Sequence, residues 1–305
     1  MDVLALPATV TARIEAEHGA ISALERLGGM SVARVYRVGL SEGGAIVVKG
    51  SARTAETQFY DCIAPALRTA GLPLPLVYWT AHAEGEHWFA MEMLGETQPL
   101  GTADDQWEPD PRIVRSLALL HRETAGKCYE FPRLPGTQWD EAVSDSALRV
   151  FYPGDLPRLR SAFAGLASLA AARLVPKTCW ISGDPSPPNW ASRDDGSLAW
   201  IDWELFREGV PAEDLAPAVP GLAPARAFRR MAPAYVQATG DSTPDPEQLA
   251  ADIALAKIVT VVMLLRAVVE EPGVRVPEAY VENLRLQFPS WLEDTTHEFQ
   301  LSSPA

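Results

Sequence analysis

Residues 181–216 read ISGDPSPPNWASRDDGSLAWIDWELFREGVPAEDLA. Asp184 and Asn189 are separated by four residues, three of them proline. Proline has no N–H and a fixed φ, so this segment joins neither a helix nor a sheet ladder and forms an irregular loop. RDDG, residues 193–196, is a turn that reverses the chain into SLAWID, residues 197–202. The reversal is expected to bring Asp202 back beside the loop of Asp184 and Asn189, so that two acids and an amide converge at one end of a hairpin. Carboxylate and amide oxygens together suit a hard cation of the kind used with substrate phosphates. Asp194 and Asp195 read as plain turn residues.

Upstream, VARVYRVGL (32–40) alternates, SEGG (41–44) is a turn cluster and AIVVKG (45–50) is a short strand, which predicts a β-hairpin. Residues 54–71 predict a helix capped by Thr54, with Phe59, Ile63 and Leu67 on one face and Gly71 at its end; Pro65 kinks it or lies near its end. LPLPLVYWTA (72–81) and HWFAMEML (87–94) predict two more strands around a polar turn at 83–86. Beyond residue 94 helical periodicity takes over, at 111–123, 156–174, 224–239, 246–270 and 277–294, with strand-like pieces TCWIS and SLAWID between them.

Composition narrows the classes. The chain has 305 residues, 47% hydrophobic and 22% charged, an ordinary globular balance. Its net charge of −14 argues against sequence-independent nucleic-acid binding, which needs many Lys/Arg–phosphate contacts. Residues 1–91 carry 9 acids and 7 bases, leaving 31 acids and 19 bases beyond them, so the acidic field belongs to the helical part. The apolar run IALAKIVTVVMLLRAVV (253–269) is short for a membrane span and holds Lys257 and Arg266; it reads as a buried helix. Three scattered cysteines form neither a disulfide framework nor a zinc site. With no basic N-terminal region, a cytoplasmic protein with no membrane or nucleic-acid partner is expected.

The motifs resemble the kinase-like aminoglycoside/choline phosphotransferase family, whose pattern is H-G-D-x4-N, a hairpin, I-D-[WFP]-E and D-L-A. Here stand SGDPSPPN (182–189), IDWE (201–204) and EDLA (213–216). In order upstream come VVK (47–49), ETQFY (56–60), MEML (91–94) followed by Gly95, and LALLHRET (117–124). The resemblance implies an α+β fold of the bilobal protein-kinase type: an antiparallel-sheet, nucleotide-binding N-lobe over residues 1–94, and a mostly helical C-lobe over 95–305 carrying the catalytic loop, metal site and acceptor site. The hinge and cleft are expected near Glu92–Glu96.

It also implies roles. Lys49 would contact the nucleotide's α/β-phosphates and Glu56 would hold its ammonium, although Asp61 on the same helix competes for that role. Asn189 and Asp202 would bind Mg²⁺. Asp184 would orient the acceptor hydroxyl and take its proton. The loop of Gly28, Gly29 and Ser31 would cover the phosphates, and backbone groups from Glu92 to Leu94 would hold the base of ATP or GTP. The implied activity is transfer of a γ-phosphoryl group to a hydroxyl of an aminoglycoside-like, amino-alcohol or sugar acceptor, with the acidic balance favouring a cationic one. His121 reads as a core or subsite histidine, and Asp214 as a structural acid. One departure stands out: Ser182 replaces the family histidine that braces the catalytic loop, leaving Trp180 or Trp190 as substitute braces. Ser182 motivates the alternative of a catalytically weak, nucleotide-binding pseudokinase with a regulatory role. A protein kinase is disfavoured, because only eleven residues separate Asp202 from Asp214.

Overall fold

The computed structural model describes residues 6–28, 33–132, 138–174, 177–240, 244–271, 274 and 276–301. The chain forms two compact units, Met1–Thr97 with Trp190–Glu204, and Gln98–Asn189 with Leu205–Ala305.

In the first unit, helix α1 (Ala8–His18) precedes strands β1 (Ile21–Leu27), β2 (Arg34–Leu40), β3 (Ala45–Ser51), β4 (Val77–Ala83) and β5 (Glu86–Glu92). They form one antiparallel sheet in the order β1-β2-β3-β5-β4. Val10 and Ile14 of α1 join Tyr36, Val38, Ile46, Val48, Trp79 and Trp88 in its core. The β2–β3 hairpin turns through Gly43 and Gly44, both at positive φ, where a side chain would be strained. The helix predicted over 54–71 exists but is not uniform. It runs as α2 (Ala55–Gln58), a π-helical turn (Phe59–Ile63) and α3 (Ala64–Thr69). Pro65 cannot donate to the carbonyl four residues back, and the turn before it widens accordingly. Thr54 is not a side-chain cap; its carbonyl accepts from Thr57 Oγ1 instead. The strand predicted from residue 72 begins only at Val77, because Pro73 and Pro75 have no N–H for a ladder.

A boundary at 94/95 misses one piece of this unit. The second hairpin, β7 (Trp190–Ser192) and β8 (Leu198–Trp200), groups with the sheet rather than with the helices. Trp200 N–H donates to Pro73 O at 2.7 Å, and Gly95 N–H to Ser192 O at 2.8 Å. Arg193 donates to Leu74 O and pairs with Glu92 at 3.0 Å.

The second unit contains α4 (Pro111–Thr124), α5 (Glu141–Leu148), α6 (Leu156–Arg173), the strand pair β6 (Cys179–Ile181) and β9 (Arg207–Gly209), then α7 (Pro211–Ala218), α8 (Ala225–Thr239), α9 (Pro246–Glu270) and α10 (Glu278–Glu298). α9 is its centre, packed by α5, α7 and α8; Ile253, Leu255, Ile258, Val262 and Leu265 are buried. Among the described residues no helix is long and apolar enough to cross a membrane.

Candidate active site

The first unit assembles a buried ionic cluster from three places in the sequence. Lys49 lies in β3 and is only 7% exposed. Its Nζ is 2.7 Å from Glu56 Oε2 and 2.8 Å from Asp202 Oδ1. Glu56 sits in the first turn of α2, and its other oxygen accepts Trp203 N–H at 3.3 Å. Asp202 follows β8 at φ 66, a left-handed backbone that an aspartate adopts only where its surroundings hold it. An aromatic column provides that hold: Trp190 stacks on Trp200 at 4.5 Å, Trp200 packs on Trp203, and Trp203 stacks on Phe59 at 4.1 Å, one turn after Glu56.

Burial disfavours the Lys49 ammonium, but Glu56, Asp202 and Glu204 outweigh it and raise its pKa, so the lysine is held charged. Burial pushes the Glu56 carboxyl upward while Lys49 pulls it back. One ammonium therefore faces three carboxylates, a surplus of negative charge that a divalent cation would offset.

In the second unit, Asp184 and Asn189 form their own constellation. Asn189 Nδ2 donates to Asp184 O at 2.7 Å and to Asp184 Oδ2 at 3.1 Å. With Nδ2 turned to Asp184, the planar amide presents Oδ1 on its other side. Gly183 precedes Asp184 at φ +85, and a Cβ there would lie 2.5 Å from Leu205 O; no other residue fits this bend.

Asp214, fully buried in α7, holds the start of this loop. Its carboxylate accepts Ser182 N–H at 2.9 Å, Ser182 Oγ–H at 3.1 Å and Gly183 N–H at 2.8 Å. His121 Nε2 lies 3.0 Å from the same carboxylate, and Nδ1 lies 2.8 Å from Tyr235 Oη. A carboxylate only accepts, so Nε2 carries a proton toward Asp214, and Nδ1 and the Tyr235 hydroxyl share a second hydrogen bond. The expected braces, Trp180 and Trp190, do other work: Trp180 Nε1 donates to Lys127 O, and Trp190 belongs to the aromatic column. Ser182 and His121 reach the brace through Asp214 instead.

The remaining expected residues are placed as follows. Glu56, not Asp61, meets Lys49; Asp61 accepts from Thr80 Oγ1. The Glu92 side chain serves the hairpin, accepting from Leu76 N–H and Arg193. Leu94 is buried against Ala191 and Ala199. Gly28 directly follows β1, with open space where a Cβ would stand, so packing alone does not demand glycine there. Gly29 and Ser31 lie outside the described residues. Sequence reasoning gave no role to Glu204, although IDWE contains it, nor to Arg193, whose only signal was its place in a turn.

The donor types fit a hard cation. Taken unit by unit, Asp202 offers a carboxylate one-third exposed in the first, and Asn189 an amide oxygen in the second. Among the described residues no three Asp, Glu, His or Cys side chains form a metal cluster of their own. Mg²⁺ taken up with a nucleotide uses one or two carboxylates plus phosphate oxygens.

Solved structures share the fold across nearly the whole chain. A choline/ethanolamine kinase family protein from Mesorhizobium loti is 17% identical, with a TM-score of 0.62, covering 96% of this chain and 97% of that one. The choline kinase LicA from Streptococcus pneumoniae is 17% identical, with a TM-score of 0.60 and coverage of 93% and 98%. An aminoglycoside phosphotransferase from Alicyclobacillus acidocaldarius is 15% identical, with a TM-score of 0.59 and coverage of 97% of both chains. No curated protein sequence matches. The family profile described as phosphotransferase enzyme family matches residues 23–251. That span runs from β1 into α9 and takes in both ionic constellations, and the chain belongs to this phosphotransferase enzyme family.

Proposed function

We propose that the chain transfers the γ-phosphoryl group of ATP, or of GTP, to a hydroxyl of a small molecule: an aminoglycoside-like compound, an amino alcohol or a sugar. The observation that carries this reading is the double contact of Lys49 with Glu56 and Asp202. A buried, held ammonium beside a partly open carboxylate is what phosphate oxygens and their counter-ion need. In this reading Lys49 meets the α/β-phosphates and Glu56 fixes its position. Asp202 and Asn189 hold Mg²⁺, which when bound offsets phosphate charge. Asp184 orients the acceptor hydroxyl and accepts its proton. Gly28, directly after β1, is assigned to the phosphates. The Glu92 N–H bonds Leu76 O, so contact with the base falls to the Glu92 carbonyl and the backbone of residues 93–94.

Structural neighbours support nucleotide use and hydroxyl-bearing acceptors. An aminoglycoside phosphotransferase was crystallised with ADP and hygromycin B, and LicA with AMP. The acidic surplus beyond residue 91 favours a cationic acceptor. The bonds that Asp214 makes to Ser182 and Gly183 supply the brace whose loss motivated a pseudokinase reading, so an enzyme is favoured. The test is nucleotide consumption by purified protein against antibiotics, amino alcohols and sugars, with Mg²⁺. Acceptor-dependent ADP or GDP release supports the reading. Nucleotide binding with no turnover on any of the three classes goes against it.

A further inference from the structure

Lys257 lies midway along α9 and is 7% exposed. It stands beyond the family match, which ends at residue 251, and the proposed chemistry leaves it without a role. An ammonium on a helix whose other buried residues are Leu, Ala, Ile and Val is expensive to bury, and Met or Leu would fill the same space without that cost. Its Nζ donates to Val219 O at 2.6 Å and to Ala216 O at 3.2 Å. Those carbonyls close the C-terminal end of α7, where the helix dipole favours a cation.

α7 is also the helix that carries Asp214, and Asp214 holds the amides of Ser182 and Gly183 directly before Asp184. Lys257 thus fixes one end of the element whose other half sets the loop. A second link is electrostatic. Burial pulls the Lys257 ammonium down to about 8, and Asp184 is the charge that opposes the fall. Tyr280, in the first turn of α10, lies in the field of the same carboxylate.

We propose that Lys257 is a positioning residue for phosphoryl transfer. Its ammonium clamps the end of α7, keeps Asp184 in place through Asp214 and the Ser182–Gly183 amides, and adds a positive charge that a neutral hydrogen-bond donor does not replace. The proposal rests on the reading of Asp184 as the residue that acts on the acceptor.

The test uses the full chain and Mg·ATP with water as acceptor, read as phosphate release, alongside thermal melting. Lys257→Met is expected to lower kcat by up to about 10²-fold, the scale of a small misplacement of reacting groups, with KM for ATP unchanged. Lys257→Arg should recover most of the loss. Lys257→Gln, which keeps donors but no charge, should restore the melting temperature and leave kcat low; it also serves if the Met variant does not fold. Wild-type kcat in Lys257→Gln would overturn the proposal, as would equal loss of kcat and KM in every variant. Asp184→Asn is the control. If it releases phosphate at the wild-type rate, the reading of Asp184 fails; if it does not while Lys257→Gln is unaffected, only the role of Lys257 fails.

Discussion

Lys49 Nζ and Asp202 Oδ1 lie 2.8 Å apart although they are 153 positions apart in sequence. The contact joins the central sheet to the second hairpin and gives the lysine a structural role beside the proposed one. Lys49→Ala would leave Glu56 and Asp202 without their cation, and removing one partner of a buried pair costs about 3 kcal/mol or more. A lower melting temperature is expected beside lost catalysis, rather than an intact fold. The pH dependence has a definite sign. The folded pKa of Lys49 is raised above 10.5, so its contribution is complete below that pH and is lost as pH rises through the folded value. Alkaline unfolding curves of wild type and Lys49→Met should converge at high pH.

Ser182→Ala removes one donor to Asp214 and is expected to cost about 1 kcal/mol. Asp214→Ala leaves two backbone N–H groups, the serine hydroxyl and His121 without their acceptor, and should cost several times more. Chemical denaturation of the two variants checks the ratio; equal losses would mean that Asp214 is not the brace.

Gly183→Ala meets both a positive φ and a carbonyl at 2.5 Å. Strain of this kind costs on the order of 1–3 kcal/mol before any clash is counted. Expected are a marked loss of stability and loss of turnover, whereas Gly28→Ala, whose Cβ meets nothing, should be near-neutral in stability.

Much of this was legible because local signals agreed with one another. The β2–β3 hairpin had alternation and a glycine turn, and α9 had its long apolar run. Three elements were illegible for physical reasons. β1, ISALERL, is an edge strand made of good helix formers, with no buried face to impose alternation. α5 and α7 are each 8 residues long, too short for a periodic stripe to emerge. In the site, motif order singled out Lys49, Asp184, Asn189 and Asp202. It did not reveal that Glu92 and Arg193 tie the hairpin down, because a turn arginine carries no signal of its distant partner. Nor did it reveal that His121 meets Asp214, a contact made only by packing α4 beside α7.

The thiols should separate by reactivity. Burial pushes Cys179 up to about 12, with Asp214 adding to the effect, so at pH 8 it is held as the thiol. Cys62 and Cys128 are exposed. A disulfide reagent at pH 8 should label two thiols quickly and the third only on unfolding; three fast thiols would contradict the burial of β6.

The central claim is that Asp202 and Asp184 do separate work, one on the metal–nucleotide complex and one on the acceptor. Calorimetric titration of Asp202→Ala and Asp184→Ala with a non-hydrolysable ATP analogue, with and without Mg²⁺, tests it directly. Asp202→Ala should lose the Mg²⁺-dependent part of nucleotide affinity together with turnover. Asp184→Ala should bind the Mg²⁺–nucleotide complex as the wild type does and lose about 10²–10⁴ in rate, the usual scale for removing a general base. Equal loss of nucleotide affinity in both variants would contradict this division of roles.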